Sequence, residues 1–350
     1  MALLLRAFSH FLVDGVCAAA VFGILAPAME PAALAWAIAL YNLIAFSMQA
    51  LAGLFIDRLG GTWLRYVLAA SCLLTAAAFF APLSPFIRAA LLGAGNCLFH
   101  TSGGACTLRV SRTNPAPLGV FVAPGSFGLA LGTLFPHAAG MACACLLPAA
   151  AAGILFVHEA EEAPCSSRCA PEVDMIARTR AFAAVLLALA VAVRAFSGGF
   201  VRFEWKSSAG AALTLAFFVM LGKGAGGYLA GRVGISRAAM LSCGTAIVLV
   251  PFFQHSAVLS ILGQFALNLM MPLTLALMYR TLPHSPGFAF GLAASVLYPA
   301  QLLGGYAVLP AAAARAALAA AIALSLAAVL ICAHFLPATN ERSDTVCIKS

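Results

Sequence analysis

The sequence predicts an all-α polytopic membrane protein of about 12 transmembrane helices, arranged as two pseudo-symmetric six-helix bundles. Three observations lead there. Of 350 residues, 63% are hydrophobic and only 9% are charged, with a mean hydropathy of +1.03, whereas a water-soluble domain carries about a quarter of its residues as charges. The apolar residues fall in runs of about twenty, the length needed to cross a hydrocarbon core of ~30 Å as a helix. Short motifs also recur in the second part of the chain at a nearly constant offset.

In order, the apolar runs predict spans at 5–27, 34–56, 64–83, 86–108, 118–137, 139–158, 179–201, 209–230, 238–254, 256–279, 287–308 and 311–336. They are separated by brief polar stretches such as DRLGGT, SRTNPAP and RTLPHSPG. The runs are too long, and too rich in Ala and Leu, for the ten-residue alternation of a membrane β-barrel. With the first end inside, 13 of the 19 Lys and Arg residues lie in inner connections: Arg6, Arg58, Arg65, Arg109, Arg112, Arg168, Arg178, Arg180, Arg232, Arg237, Arg280, Arg342 and Lys349. Arg88, Arg202, Lys206 and Arg315 lie in outer ones, and Arg194 and Lys223 fall within spans. This bias puts both termini in the cytoplasm of a bacterial inner membrane. It also accounts for the net charge of +8 without a nucleic-acid partner.

The long polar stretch HEAEEAPCSSRCAPEVDMIARTR divides the chain. The organisation expected is an N-terminal six-helix bundle over 1–158, a cytoplasmic linker over 159–178, a C-terminal six-helix bundle over 179–337 and a cytoplasmic tail over 338–350. The repeat supports this division. GLFIDRLGG in the first part answers to GYLAGRVGI in the second, with Arg58 and Arg232 174 positions apart. Asn96 and Asn268 are 172 apart, Arg109 and Arg280 171, and Gly119 and Gly132 are each 172 from Gly291 and Gly304. Two parallel six-helix repeats are an architecture of alternating-access transport. The 11 cysteines form no disulfide framework, since most fall within spans. Cys165 and Cys169 make a CxxxC without a second ligand pair, so neither a metal nor a cofactor is expected.

GLFIDRLGG followed by Arg65 resembles the loop 2–3 motif of the major facilitator superfamily. The resemblance implies that Gly53 permits close helix packing and that Asp57, with Arg58 and Arg65, stabilises one access state; Gly227 and Arg232 are the second copy, with Gly231 where the acid would stand. Within the superfamily, SHFLVDG, GAGNCLFH and APGSFGLALGTL are similar to stretches of the first, fourth and fifth spans of fosmidomycin-resistance-type exporters. Those exporters usually continue Phe-His with Pro-Glu, whereas Thr101 and Ser102 follow here.

Ionisable groups at membrane depth are costly and mark function. Of 11 acids, only Asp14 falls inside a predicted span, about 13 Å along the first helix at ~1.5 Å per residue. It is the candidate proton carrier, the alternative being a permanent structural pairing. His10 lies one turn earlier on the same face, and His100 lies at a similar depth on the fourth span. His10, Asp14, Asn96 and His100 are therefore expected to cluster. Arg194 could bind an anionic substrate, serve as counter-ion to Asp14, or snorkel outward. Lys223 could snorkel inward or seal the inner gate. Asn42, Gln264, Asn268, Tyr298 and Gln301 are the uncharged cavity candidates, each with helix-to-helix hydrogen bonding as the alternative.

The function expected is secondary active transport of a small solute, anions included, by proton-coupled export. The alternatives are an uncoupled or importing facilitator and a transport-dead sensor or scaffold. With no HExxH and no pair of membrane acids, an enzyme is not expected. The partners are a small-molecule substrate, a proton and the lipid bilayer, and the chain is expected to be monomeric.

Overall fold

A computed structural model describes residues 1–111, 114–157 and 174–336. The CxxxC pair, most of the predicted linker and the tail beyond 337 lie outside them. Among the described residues there is no strand, and the helices fall into twelve traverses. They are α1 (Ala2–Ala28), α2 (Pro31–Ser47 and Gln49–Arg58), α3 (Gly60–Phe80), α4 (Pro85–Ser111), α5 (Ala116–Leu134) and α6 (Pro136–Phe156). The second set is α7 (Asp174–Ser197), α8 (Ala209–Val233), α9 (Ile235–Phe252), α10 (Ala257–Thr281), α11 (Pro286–Tyr306) and α12 (Ala311–Phe335).

Ten of these are long and apolar enough to cross a membrane, eleven when α2 is read as one span bent by 40°. The remaining helix, α4, has 27 residues, ample to cross at ~1.5 Å per residue. Its low hydropathy has a structural reason: it turns Arg88, Asn96, His100, Thr101, Ser102, Thr107 and Ser111 into the protein interior. The lipid-facing surface is apolar instead, with Trp36, Val185, Val258 and Leu324 exposed. That pattern, polar inside and apolar outside, is expected where the solvent is hydrocarbon.

Within the first set, α1 packs on α5 and α6, and α3 packs on α4 and α6. Within the second, α7 packs on α11 and α12, and α9 packs on α10 and α12. The two sets meet along α2–α11 and α5–α8, and small residues make the contacts close. A Cβ on Gly53 would strike the backbone of Gly287, and one on Gly227 would strike Pro115 and Ala116. A Cβ on Gly291 would strike Gln49, and one on Gly119 would strike the carbonyls of Lys223 and Gly224. These pairs are repeat mates, so the interface is two copies of one joint. Both lie at the end of the bundle that carries the α2–α3 and α8–α9 turns, and they close that end.

Three polar side chains cap helices, Arg88 of the predicted outer connections among them. Arg88 donates to the carbonyls of Ala78 (2.6 Å), Phe79 (2.6 Å) and Ala81 (2.7 Å) at the C-terminus of α3, where a cation also meets the negative end of the helix dipole. Ser208 and Ser256 cap α8 and α10 through their hydroxyls.

Candidate functional site

Helical spacing builds the centre of the first bundle. His10 and Asp14 are four apart on α1, Asn96 and His100 four apart on α4, so each pair shares a face. Packing turns the two faces together. Asp14 Oδ2 lies 3.2 Å from His10 Nε2, and its Oδ1 lies 3.5 Å from His100 Nε2. The two Nε2 atoms are 2.8 Å apart, and Asn96 Nδ2 donates to Asp14 Oδ1 at 3.2 Å. The cluster anticipated from the sequence is thus assembled, with Asp14 about one-sixth exposed (17%) and His10 nearly covered (6%).

The ring orientations fix the protons. His10 Nδ1 lies 2.8 Å from the carbonyl of Phe121, and His100 Nδ1 lies 2.9 Å from the carbonyl of Asn96. A carbonyl oxygen only accepts, so both Nδ1 atoms carry hydrogen. In neutral rings both Nε2 atoms then present lone pairs, facing each other and a carboxylate. Three electron-pair donors converge with no hydrogen between the two nitrogens; the arrangement is complete only with a cation among them.

Two contributors had no signal in isolation. Phe121 acts through a main-chain carbonyl that any residue would offer. Gly125 leaves the space for the cluster, since a Cβ there would run into His10 and Asp14. The neighbouring Gly128 and Gly132 meet the carbonyls of Phe11 and Gly15 on α1, so the α5 glycines are a packing seam against the helix that carries the acid.

The second bundle contributes Lys223 rather than Arg194. Lys223 on α8 is half-buried and within electrostatic reach of Asp14 and His100. Arg194 donates to Thr274 Oγ1 at 3.3 Å, and its Nη1 is buried without a partner. It is a half-buried free donor within the second bundle, not the counter-ion of Asp14. Asn42 and Asn268 donate to the carbonyls one turn before them, Ile38 and Gln264, so neither bridges helices through its amide nitrogen. Asn42, Tyr298 and Gln301 share a cleft of about 440 Å³ between α2 and α11. Gln264 is half-buried on α10.

At the closed end, Asp57 accepts hydrogen bonds from the amides of Gly287 (2.7 Å) and Phe288 (2.8 Å). A carboxylate on one bundle thereby caps the first turn of α11 on the other, where free amides and the helix dipole favour an anion. Arg109 is within its electrostatic reach. Arg58 is exposed, and Arg65 turns to Tyr66, donating to its hydroxyl at 3.2 Å and lying 4.9 Å from the ring centre. At the mate of this joint no acid stands. Gly231 lies beside Asn114, whose side chain caps the amide of Ala116 on its own helix at 3.0 Å. A cavity of about 570 Å³, lined in part by Asn114, Gly231, Arg232 and Arg280, occupies that corner.

The chain has the fold of the major facilitator superfamily of transporters. It superposes on a major facilitator transporter, FucP, in the outward conformation with a TM-score of 0.66 over 95% of this chain and 99% of that one, at 11% identity. A variant of the E. coli fucose:proton symporter FucP gives 0.67 over 97% and 98%, at 15% identity. A bacterial homologue of the iron transporter ferroportin in an outward-facing state gives 0.56 over 96% and 98%, also at 15% identity. No family model matches the sequence, and no curated protein sequence does.

Proposed function

We propose that the protein is a secondary active transporter in a bacterial inner membrane, moving a small solute by alternating access and exporting it in exchange for protons. The observation that carries the reading is the pair of repeat-related joints, α2–α11 and α5–α8. Two bundles joined through tight, small-residue contacts that recur in both halves can part at those contacts by rocking. With the arginine-rich connections in the cytoplasm, the structure corresponds to an outward-facing state.

Coupling falls to Asp14, His10 and His100. The acid keeps about one-sixth of its side chain exposed (17%), and the lone pairs around it call for a cation, which a proton supplies. With Asp14 charged, its attraction to Lys223 draws the bundles together across the midplane. With the cluster protonated, that attraction falls and the bundles are free to rock. Asn42, Tyr298, Gln301, Gln264 and Asn268 are available to the solute, and the free Nη1 of Arg194 suits an anionic group. Asp57, with Gly53, Gly227, Arg58, Arg65 and Arg232 around the joints, gates the cytoplasmic end.

The export direction follows the likeness of the α1, α4 and α5 stretches to exporters. Proton-coupled import is the second reading, favoured by the structural likeness to a fucose:proton symporter. The test is flux in membrane vesicles under an imposed proton gradient, run in both orientations with wild type and Asp14→Asn over a panel of small solutes. Gradient-driven efflux that Asp14→Asn abolishes, with passive exchange retained, is the expected result. Equal gradient-driven flux in the variant overturns the coupling, and uphill uptake overturns the direction.

A further inference from the structure

We propose that His10 Nε2, His100 Nε2 and the Asp14 carboxylate form a binding site for one divalent first-row transition-metal ion. This goes beyond proton coupling and stands on the cluster's geometry alone. Among the described residues, this is the one set of three or more His, Cys, Asp or Glu side chains whose ligand atoms lie close enough together to share a metal, all within 4.8 Å of one another.

The distances suit coordination. A metal at about 2.1 Å from nitrogen and oxygen ligands separates adjacent ligands by about 3.0–3.4 Å at ordinary bond angles. The edges here are 2.8, 3.2 and 3.5 Å, so shifts of tenths of an ångström complete the face. The supporting contacts are those of a built site. A ligating imidazole commonly donates its second N–H to a carbonyl, which fixes its tautomer and aims the remaining lone pair at the metal. Both rings do this, to Phe121 and Asn96, and Asn96 also orients the carboxylate. Main-chain carbonyls thus hold both imidazoles with Nε2 turned to one point.

The donor set selects the ion. Two imidazoles and one carboxylate suit Zn²⁺, Fe²⁺, Co²⁺ or Ni²⁺, whereas Mg²⁺ and Ca²⁺ prefer oxygen throughout. Three protein ligands leave further coordination positions for water or a solute group. One charge opposes binding: Lys223 on α8 is within electrostatic reach of Asp14. Removing it should tighten metal binding, a gain that a damaged fold would not produce.

The experiment is titration of the purified, chelator-stripped full chain with Co²⁺, read by visible d–d absorption and by equilibrium dialysis, with Zn²⁺ as competitor. The expected result is one Co²⁺ per chain, displaced by Zn²⁺. His10→Gln and His100→Gln should weaken it by about 100-fold or more, since losing a supporting contact alone costs about 10–100-fold. Lys223→Met should tighten it about threefold or more, and His137→Gln and His255→Gln should leave it unchanged. A wild type that binds no more Co²⁺ than the His10→Gln/His100→Gln double variant, so that only adventitious binding at other side chains is seen, overturns the proposal. Proton-driven flux measured in chelator reports on coupling separately, so either reading can fail while the other holds.

Discussion

Gly53 of α2 and Gly287 of α11 meet backbone against backbone across the two bundles, and their repeat mates Gly227 and Pro115 make the same contact between α8 and α5. The joint tolerates no side chain, because a Cβ on either glycine of the α2 and α8 copies would enter the opposing main chain. Gly53→Val should therefore be unable to close the end that carries the α2–α3 turn and should lose at least about 90% of uphill transport. Thiol labelling of single cysteines near the α2–α3 turn reads the open end directly. Gly224→Ala is the control: its nearest new contact is Ala123 Cβ at 3.8 Å, an ordinary packing distance, and transport should persist. Unchanged closure in Gly53→Val would remove the joint from the mechanism.

Asp57 gives that joint its electrostatic latch. Asp57→Asn keeps the shape but offers one acceptor oxygen to two amides and loses the charge at the α11 N-terminus. The closed arrangement should lose about 1–3 kcal/mol, shifting the open-to-closed ratio by about 5- to 150-fold. Cross-linking of a cysteine pair spanning α2 and α11 measures the shift, and Asp57→Glu should restore part of it. An unchanged ratio would leave the two hydrogen bonds without a role in gating.

The two joints differ because the repeat has diverged at one position, Asp57 against Gly231. A Cβ on Gly231 meets only Asn114 Oδ1, at 3.5 Å, so space for a side chain exists. Gly231→Asp with Asn114→Ala should place a carboxylate near the uncapped first turn of α5 and make a second latch. The expected outcome is slower turnover with a larger closed fraction in the same cross-linking measurement. Faster turnover would contradict it.

How much of this was legible in the sequence follows from what each feature depends on. The spans depend on apolar run length, and the ends of α2, α8, α10 and α12 fall within three residues of the runs read from the sequence. The pairing of His10 with Asp14 and of Asn96 with His100 depends on helical spacing, which a sequence carries. That the two faces meet depends on helix packing, to which the repeat and the family resemblance pointed. The tautomers depend on the carbonyl of Phe121 and the room at Gly125, neither of which has a sequence marker. Arg194 and Lys223 show the limit most plainly. Helical rise gives each a depth, but rotation about the helix axis decides which one faces Asp14, and α7 and α8 have too little apolar asymmetry to reveal it.

Gly125 allows a test of the cluster that leaves its chemistry untouched. Gly125→Ala puts one methyl group against His10 and Asp14, where α1 and α5 pack too closely to yield freely. The intrusion should spread the three ligand atoms apart. Gradient-driven flux should fall by about tenfold or more, and Co²⁺ binding should weaken with it. Thermal stability should fall only by the ~1–3 kcal/mol typical of overpacking. The control Gly224→Ala, whose new methyl group meets only Ala123 Cβ at 3.8 Å, should leave all three measurements near wild type. If Gly125→Ala retains full flux and metal binding, the close approach of His10, Asp14 and His100 is not what the transporter uses, and Asp14 must act alone.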